Sequence, residues 1–177
     1  MTHIIGYHGT NIVNGRSILT SKEFHIAGTF SDWLGRGAYF FENDKHQAYM
    51  FIKFREKDKP LVHNDICVLK ADMYPVKLLD LLCDEDRRFI EDYCLKVKEQ
   101  IEAKSKEIGN WKHKEGFIID LLNYNNPIDA VRAGYSVPKA KKNLYLDYSV
   151  VQIQVCVKNI DCIDKSSICE VNCDAYR

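Results

Sequence analysis

The chain has 177 residues, of which 46% are hydrophobic and 28% charged, the composition of an ordinary globular protein with one well-buried core. Its 25 basic and 25 acidic side chains cancel, so no global field marks a nucleic-acid or membrane-surface binder. The chain shows neither a secretion signal nor an apolar run long enough to span a membrane, which predicts a soluble, cytoplasmic protein with no membrane partner.

Cysteine and histidine spacing gives no sign of a metal site. The seven cysteines are an odd number without a CxxC pair, which favours reduced, buried thiols over a disulfide framework. The histidines show no HxxxH spacing. We therefore expect no bound metal.

Glycine distribution indicates where a ligand would bind. No repeat or linker divides the sequence, so residues 1–177 are expected to form a single domain. Six of the nine glycines lie within the first 37 residues, where tight turns and close backbone approach are therefore concentrated.

The first predicted elements are a strand and a helix. Residues 4–7 read as a short strand, and Thr10 or Asn11 can cap a helix that runs through Ile18 and Leu19. After a glycine-rich turn, the predicted order is strand, helix, strand. The strands cover residues 38–41 and 66–73, and the helix between them covers 44–57.

The middle of the chain is predicted to be helical. Apolar residues spaced by three and four indicate a long helix over 84–108, followed by a shorter one over 115–123. Pro127 ends that helix, and a further helix is expected to begin near Ile128. Residues 84–138 are thus expected to form a mainly helical insertion.

The C-terminal third returns to strand. Residues 151–158 alternate apolar and polar, so Gln152 and Gln154 share one face, and Gln154 is expected on a solvated face. Short strands and helices without a regular βαβ rhythm indicate an α+β domain, with a mainly antiparallel sheet split around a cleft.

Two clusters carry the chemistry, although each alone could be ordinary core. Residues 7–10, Tyr-His-Gly-Thr, lie where a strand gives way to a helix, so a side chain and free backbone N–H groups can face a ligand there. Residues 33–41, Trp-Leu-Gly-Arg-Gly-Ala-Tyr-Phe-Phe, lead from a glycine turn into an aromatic strand.

Together these clusters resemble the ADP-ribosyltransferase superfamily, in its His-Tyr branch of diphtheria-toxin-like toxins and poly(ADP-ribose) polymerase catalytic domains. In that branch a strand ends in His-Gly-Thr or His-Gly-Ser, here His8 to Thr10, and a hydrophobic helix with a glycine follows, here residues 12–18. Next comes Gly-x-Gly-x-Tyr-Phe, here Gly35 to Phe40, and a helix with an early alanine, here Ala48.

The resemblance assigns a role to each matched residue. His8 would hydrogen-bond a ribose of NAD, and Gly9 would offer its backbone N–H and C=O to the nicotinamide carboxamide. Tyr39 would stack on the cationic nicotinamide ring, because such a ring favours an aromatic face. The implied NAD site also includes Thr10, Gly37 and Tyr49, the last as a second stacking tyrosine.

The chain departs from the family at the late strand. Vigorous transferases of this branch place a glutamate there, whereas this sequence has Gln152, which we expect to complete a catalytic set with His8 and Tyr39. An uncharged glutamine neither favours an oxocarbenium-like transition state by charge nor takes a proton, which disfavours polymer synthesis. Asp147 or Glu42 could assist from elsewhere in a single transfer, or the site binds NAD without turning it over.

Basic residues suggest where the other ligand groups bind. Arg16 and Arg36 are candidates for the pyrophosphate of NAD. Lys139, Lys141 and Lys142, beside Tyr145 and Tyr148, could contact an acceptor, although a solvated charge run is the commoner explanation of such a stretch.

The sequence therefore predicts an NAD-dependent mono-ADP-ribosyltransferase that modifies a macromolecule, either nucleic acid (RNA or DNA) or protein. By analogy with small toxin or phage-defence transferases, an antitoxin is an expected partner. The alternatives are a non-catalytic NAD or ADP-ribose reader and an RNA 2′-phosphotransferase. The latter needs several arginines, and the chain offers little beyond Arg16, Arg36 and Arg132.

Overall fold

The strands and helices follow one another in mixed order along the chain. The computed structural model describes residues 2–29, 32–55, 60–108, 114–136 and 151–176. The strands are β1 Ile4–Asn11, β2 Ala38–Glu42, β3 Ile66–Met73, β4 Leu78–Asp80, β5 Ala130–Ser136, β6 Val151–Val157 and β7 Cys169–Glu170. The α-helices are α1 Ile12–Ser21, α2 Lys45–Lys53, α3 Asp84–Lys96, α4 Lys98–Ile108 and α5 Lys114–Asn125.

The described strands form one seven-stranded sheet in the order β4-β5-β6-β2-β1-β3-β7. Only β4 and β5 are parallel, and every other neighbouring pair is antiparallel. This confirms a mixed, mostly antiparallel sheet with helices, as expected for an α+β domain.

Both faces of the sheet are covered by apolar packing. On one face, α1 and the C-terminal loops pack through Ile18, Ile163 and Ile168 against alternate residues of the central strands. On the other face, α3 and α5 cover β5 and β6, and α2 covers β1 and β3. Because the sheet lies between two layers, its central strands bury both sets of side chains.

The strand–helix–strand predictions of the first half are largely confirmed. Asn11 caps α1, because its side chain accepts a hydrogen bond from Asn14 N–H at 2.9 Å. Asp44 caps α2 in the same way through Gln47 N–H. Some ends differ from the prediction: β1 continues to Asn11 because β3 pairs with its whole length, β2 continues to Glu42, and α2 ends at Lys53.

Two helix predictions for the middle of the chain are wrong. The helix expected over 84–108 is two helices, because Val97 leaves the helical conformation (φ −108°, ψ 16°) and is buried beside Tyr93. The helix expected near Ile128 is strand β5, which pairs with β6 over its full length. The helices α3 to α5 therefore lie between β4 and β5, and the end of the expected helical insertion belongs to the sheet.

The pairing of β1 with β2 is short, and this opens the sheet. The two strands pair only at Gly6–Glu42 and Tyr7–Phe41, although β1 stays paired with β3 as far as Asn11. Continued by two residues, the same register would bring Gly9 opposite Tyr39. The strands have separated by that point, and a cleft occupies the gap.

Among the described residues, no helix combines the length and the apolar character needed to cross a membrane.

Candidate functional site

The cleft at the β1–β2 separation has a volume of about 270 Å³. One wall comes from β1 and the end of α2, and the other from β2 and the loop before it. The residues that line it include His8, Gly9, Thr10, Asp32, Trp33, Gly37, Tyr39, Phe51, Arg55 and Gln154. The structure thus brings together most, but not all, of the residues that the sequence motifs single out.

His8 bridges the gap between the separated strands. Its Nδ1 lies 2.8 Å from the carbonyl oxygen of Tyr39, and because a carbonyl only accepts, Nδ1 carries the proton. The half-buried ring also packs against Phe24 and Phe40, with centroids 5.4 and 5.7 Å away. Burial lowers the pKa of His8, so at neutral pH its Nε2 carries a lone pair that can accept a hydrogen bond.

Gly9 presents its backbone to the cleft. In an antiparallel ladder, successive residues direct their N–H and C=O groups to opposite sides. Asn43 N–H donates to the Ile5 carbonyl oxygen from the β2 side, so the odd-numbered residues of β1, Gly9 included, face the gap. A Cβ on Gly9 would overlap the Ala48 carbonyl oxygen, because α2 packs tightly on this strand. Glycine is therefore required here for packing as well.

Tyr39 lies in the cleft wall with its hydroxyl fixed. The hydroxyl donates to the Gly35 carbonyl oxygen at 2.7 Å and accepts from Leu34 N–H at 3.0 Å. Burial is the main reason that the pKa of Tyr39 is raised, so the phenol stays neutral. The ring is thus held rigidly, with its hydroxyl committed to the preceding turn.

A buried ion pair holds the same turn from behind. Lys158 Nζ donates to the carbonyl oxygens of Leu34 and Arg36 at 2.6 and 2.7 Å, and to Asp120 Oδ1 at 2.8 Å. Asp120 in turn accepts from Arg36 N–H at 3.0 Å. We call Lys158, Asp120 and the Tyr39 hydroxyl the turn clasp. It fixes the backbone that leads into the cleft.

The glutamine in the cleft is Gln154 rather than Gln152. Gln154 is only 4% exposed, lies opposite Phe41 of β2, and its side-chain amide NH2 has no partner among the described residues. The expectation that it lies on a solvated face is wrong, because helices cover that face of the sheet. Gln152 pairs with Tyr135 and is not among the lining residues. Alternation identified the shared face but not the position along β6 where the cleft lies.

The arginines expected at the pyrophosphate lie elsewhere. Arg16 lies on the exposed surface of α1, and Arg36 contributes its backbone N–H to Asp120. The cleft instead contains Arg55, just after α2, and its charge helps to lower the pKa of His8. Arg55 belongs to no motif, so only the tertiary structure reveals it.

The remaining predicted residues divide between core, sheet face and cleft. Tyr49 is fully buried, and its hydroxyl hydrogen-bonds His63 Nδ1 at 2.9 Å, so the structure places it away from the cleft. Glu42 projects from the opposite face of β2 to Tyr39 and pairs with Arg132 at 3.2 Å. Thr10 and Gly37 do line the cleft. The residues 139–148 that were expected to contact an acceptor, and Asp147 with them, lie outside the described residues.

Within the described part of the chain, no group of three or more histidine, cysteine or acidic side chains could hold a metal ion.

Comparison with known proteins adds a relative of similar length. The chain is 27% identical to "Uncharacterized protein MJ0359" of Methanocaldococcus jannaschii, over 188 aligned positions that cover 90% of this chain and 84% of the relative. No family model matches the chain, and no solved structure matches it significantly. The relative's name states no activity.

Proposed function

We propose that the protein is an NAD-dependent mono-ADP-ribosyltransferase that releases nicotinamide and attaches one ADP-ribose to a macromolecule. One observation carries the proposal. The β1–β2 separation brings the His8 ring, the Gly9 backbone, Tyr39 and the unpartnered Gln154 amide into a single cleft.

The Gly9 backbone suits the carboxamide of nicotinamide. A carboxamide presents a donor and an acceptor side by side, and a backbone edge freed from strand pairing presents the same two groups. The fixed ring of Tyr39 supplies an aromatic wall for a flat cationic ring. The cleft is close to the lower end of small-molecule sites, roughly 300–1,000 Å³, so it would enclose the nicotinamide end and leave the adenosine end at its mouth.

Neutral His8 suits a ribose hydroxyl. Its Nδ1–H donates a hydrogen bond to the Tyr39 carbonyl oxygen, which leaves the Nε2 lone pair to accept a hydrogen bond from a ribose hydroxyl. The Gln154 NH2 can donate to an oxygen of the same sugar. Together they would fix the ribose, whose C1′ is the reacting atom.

The reaction is a substitution at C1′. The bond between C1′ and the nicotinamide nitrogen breaks, and its electron pair stays with that nitrogen, so the leaving group is neutral nicotinamide. An oxygen or nitrogen of the acceptor forms the new bond to C1′ and loses a proton. The cleft contributes by orienting the leaving group and holding the ribose in place.

The neutral charge of Gln154 favours a second candidate, a non-catalytic NAD or ADP-ribose reader. An amide gives no charge stabilisation to a cationic transition state. The phosphotransferase alternative finds less support, because Arg55 is the only arginine among the described cleft residues and Arg132 pairs with Glu42 and Asp80. The proposed acceptor is a nucleic acid, RNA or DNA, or a protein, and the proposed partner is an antitoxin.

The test measures nicotinamide release and the transfer of label from adenine-labelled NAD into separated protein, RNA and DNA fractions of a cell lysate. We expect label in one fraction and its loss in His8→Ala and Tyr39→Ala, with Arg36→Ala as a control whose side chain does not line the cleft. NAD binding without nicotinamide release would support the reader instead. Failure of the purified chain to bind NAD would contradict both.

A further inference from the structure

We infer that Asp32 supplies the catalytic carboxylate of the cleft, taking the role that Gln154 cannot perform. The inference rests on the proposed transferase function. Among the cleft residues that the structure describes, Asp32 is the only acid. It lies in the loop between α1 and β2, remote in sequence from the late strand.

The loop fixes the carboxylate at the cleft wall. Asp32 Oδ2 accepts from Thr29 N–H at 2.7 Å, Asp32 N–H donates to the Thr29 carbonyl at 3.0 Å, and the Asp32 carbonyl accepts from Gly35 N–H at 2.9 Å. Gly28 lies against the carboxylate with φ +90°, and a Cβ there would overlap Asp32 Oδ2. A carboxylate held in this way does not need to reorganise when charge develops beside it.

The other nearby carboxylates are already engaged. Asp120 belongs to the turn clasp. Glu42 does not line the cleft and pairs with Arg132 through Oε1 only, while its buried Oε2 has no hydrogen-bond partner among the described residues. Asp32 lies in the loop that leads into β2, so its carboxylate is on the Tyr39 side of the cleft. Arg55 lies on the other wall, at the end of α2. The two walls therefore carry opposite charges, the positive one available to the anionic diphosphate of NAD and the negative one to charge that develops on the ribose during the reaction.

The carboxylate would act in the substitution step. As the bond from C1′ to nicotinamide breaks, positive charge develops on the ribose, and a fixed negative charge nearby stabilises it. The proton that the acceptor loses on bonding to C1′ passes to the Asp32 carboxylate, which returns it to water after the product leaves.

Asp32→Asn is the decisive variant, because its amide oxygen can still accept from Thr29 N–H while the charge is lost. We expect nicotinamide release to fall about 100- to 1,000-fold in kcat, with the Kd for NAD and the melting temperature little changed. Asp161→Asn, an exposed aspartate away from the cleft, is the matched control.

A second variant places a carboxylate in the cleft from position 154 of β6. In Asp32→Asn/Gln154→Glu we expect at least a tenfold recovery of kcat over Asp32→Asn alone. If Asp32→Asn keeps the wild-type kcat, or loses only NAD affinity, the inference is wrong although the transferase stands. If the wild-type protein binds NAD but releases no nicotinamide, the transferase proposal itself fails, and the role of Asp32 fails with it.

Discussion

His8 is the residue whose protonation state decides whether the cleft can bind a ribose hydroxyl. Burial keeps the folded-state pKa below the ordinary value of 6.5, so the ring is neutral at pH 7. An unfolded chain would take up the proton near its ordinary pKa. The free energy of unfolding therefore loses a contribution as the pH falls below about 6.5, the ordinary histidine pKa.

We expect the affinity for NAD to stay constant from pH 8 down to the folded-state pKa of His8 and to weaken below that pH. Once Nε2 is protonated, it can no longer accept a hydrogen bond from the ribose hydroxyl. Calorimetric titrations across this range, with an NMR titration of the His8 ring, would measure both quantities. His25→Gln, which changes the other histidine of the cleft, is the control. An unchanged affinity after His8 is protonated would contradict this role.

Arg55 is expected to bind the diphosphate of NAD. Replacing it with alanine should weaken ADP-ribose binding roughly tenfold or more, because charge-assisted hydrogen bonds are lost. Nicotinamide riboside lacks the diphosphate, so its affinity should change little. Arg16→Ala and Arg36→Ala are matched controls, and the proposal for Arg55 fails if either weakens ADP-ribose binding as much as Arg55→Ala does.

The sequence could identify some of these residues but not others. His8, Gly9 and Tyr39 lie in short motifs, and local order along the chain is enough to find them. Asp32 and Arg55 reach the cleft only because a loop and the end of a helix meet across the separated strands. Contacts between such distant segments depend on tertiary packing, which cannot be predicted from the spacing of residues along the sequence.

At the scale of elements, the turn clasp links α5 and β6 to the backbone that precedes β2. The Lys158 side chain is only 2% exposed, and its ammonium has three acceptors in Leu34, Arg36 and Asp120. A buried charge is tolerated when it is paired and fully hydrogen-bonded. The clasp therefore sets the position of the Tyr39 wall.

Lys158→Met should lower the free energy of unfolding by about 3–5 kcal/mol, because the Asp120 carboxylate would lose its paired cation and two carbonyl oxygens would lose the ammonium donor. Chemical denaturation measures this loss. Lys165→Met removes an exposed lysine with a single ion-pair partner, Glu23, and should cost no more than about 1 kcal/mol. Equal losses in the two variants would show that the clasp contributes no special stability.

Elements with a clear pattern were predicted well, and the exceptions have physical reasons. The bounds of β3 agree with the prediction and β6 ends one residue earlier than predicted, since each is a run of strand-forming residues. The α3–α4 break at Val97 was missed because the apolar spacing continues across it. The strand β5 was missed because Pro127 indicated a helix start, whereas pairing with β6 determines the conformation.

At the scale of the whole molecule, the two-layer covering of the sheet also sets the chemistry of the thiols. All seven cysteines are unpaired, two of them exposed and two fully buried. Burial raises the pKa of Cys67 to about 12 and that of Cys156 to about 11. Thiolates, the reactive form, are therefore scarce in the interior at neutral pH.

We expect a thiol reagent at pH 7.5 to modify the exposed Cys83 and Cys169 quickly in the native protein, and all seven cysteines after unfolding. A thiol count by mass spectrometry measures both numbers. The double variant Cys83→Ser/Cys169→Ser should remove the fast phase. Rapid modification of Cys67 or Cys156 would instead reveal frequent opening of the sheet layers.

Because the pairing between β1 and β2 is interrupted at His8, its side chain keeps the two strands apart as well as binding the ligand. The Tyr39 carbonyl accepts from the His8 ring where, in the continued register, it would accept from Gly9 N–H. Removing the ring in His8→Ala would free that carbonyl, so that β1 and β2 can continue their pairing to Gly9 and Tyr39 and close the gap. Amide hydrogen exchange at Gly9 would then slow. A loss of NAD binding in this variant would be caused by closure of the cleft rather than by the loss of one hydrogen bond to the ligand.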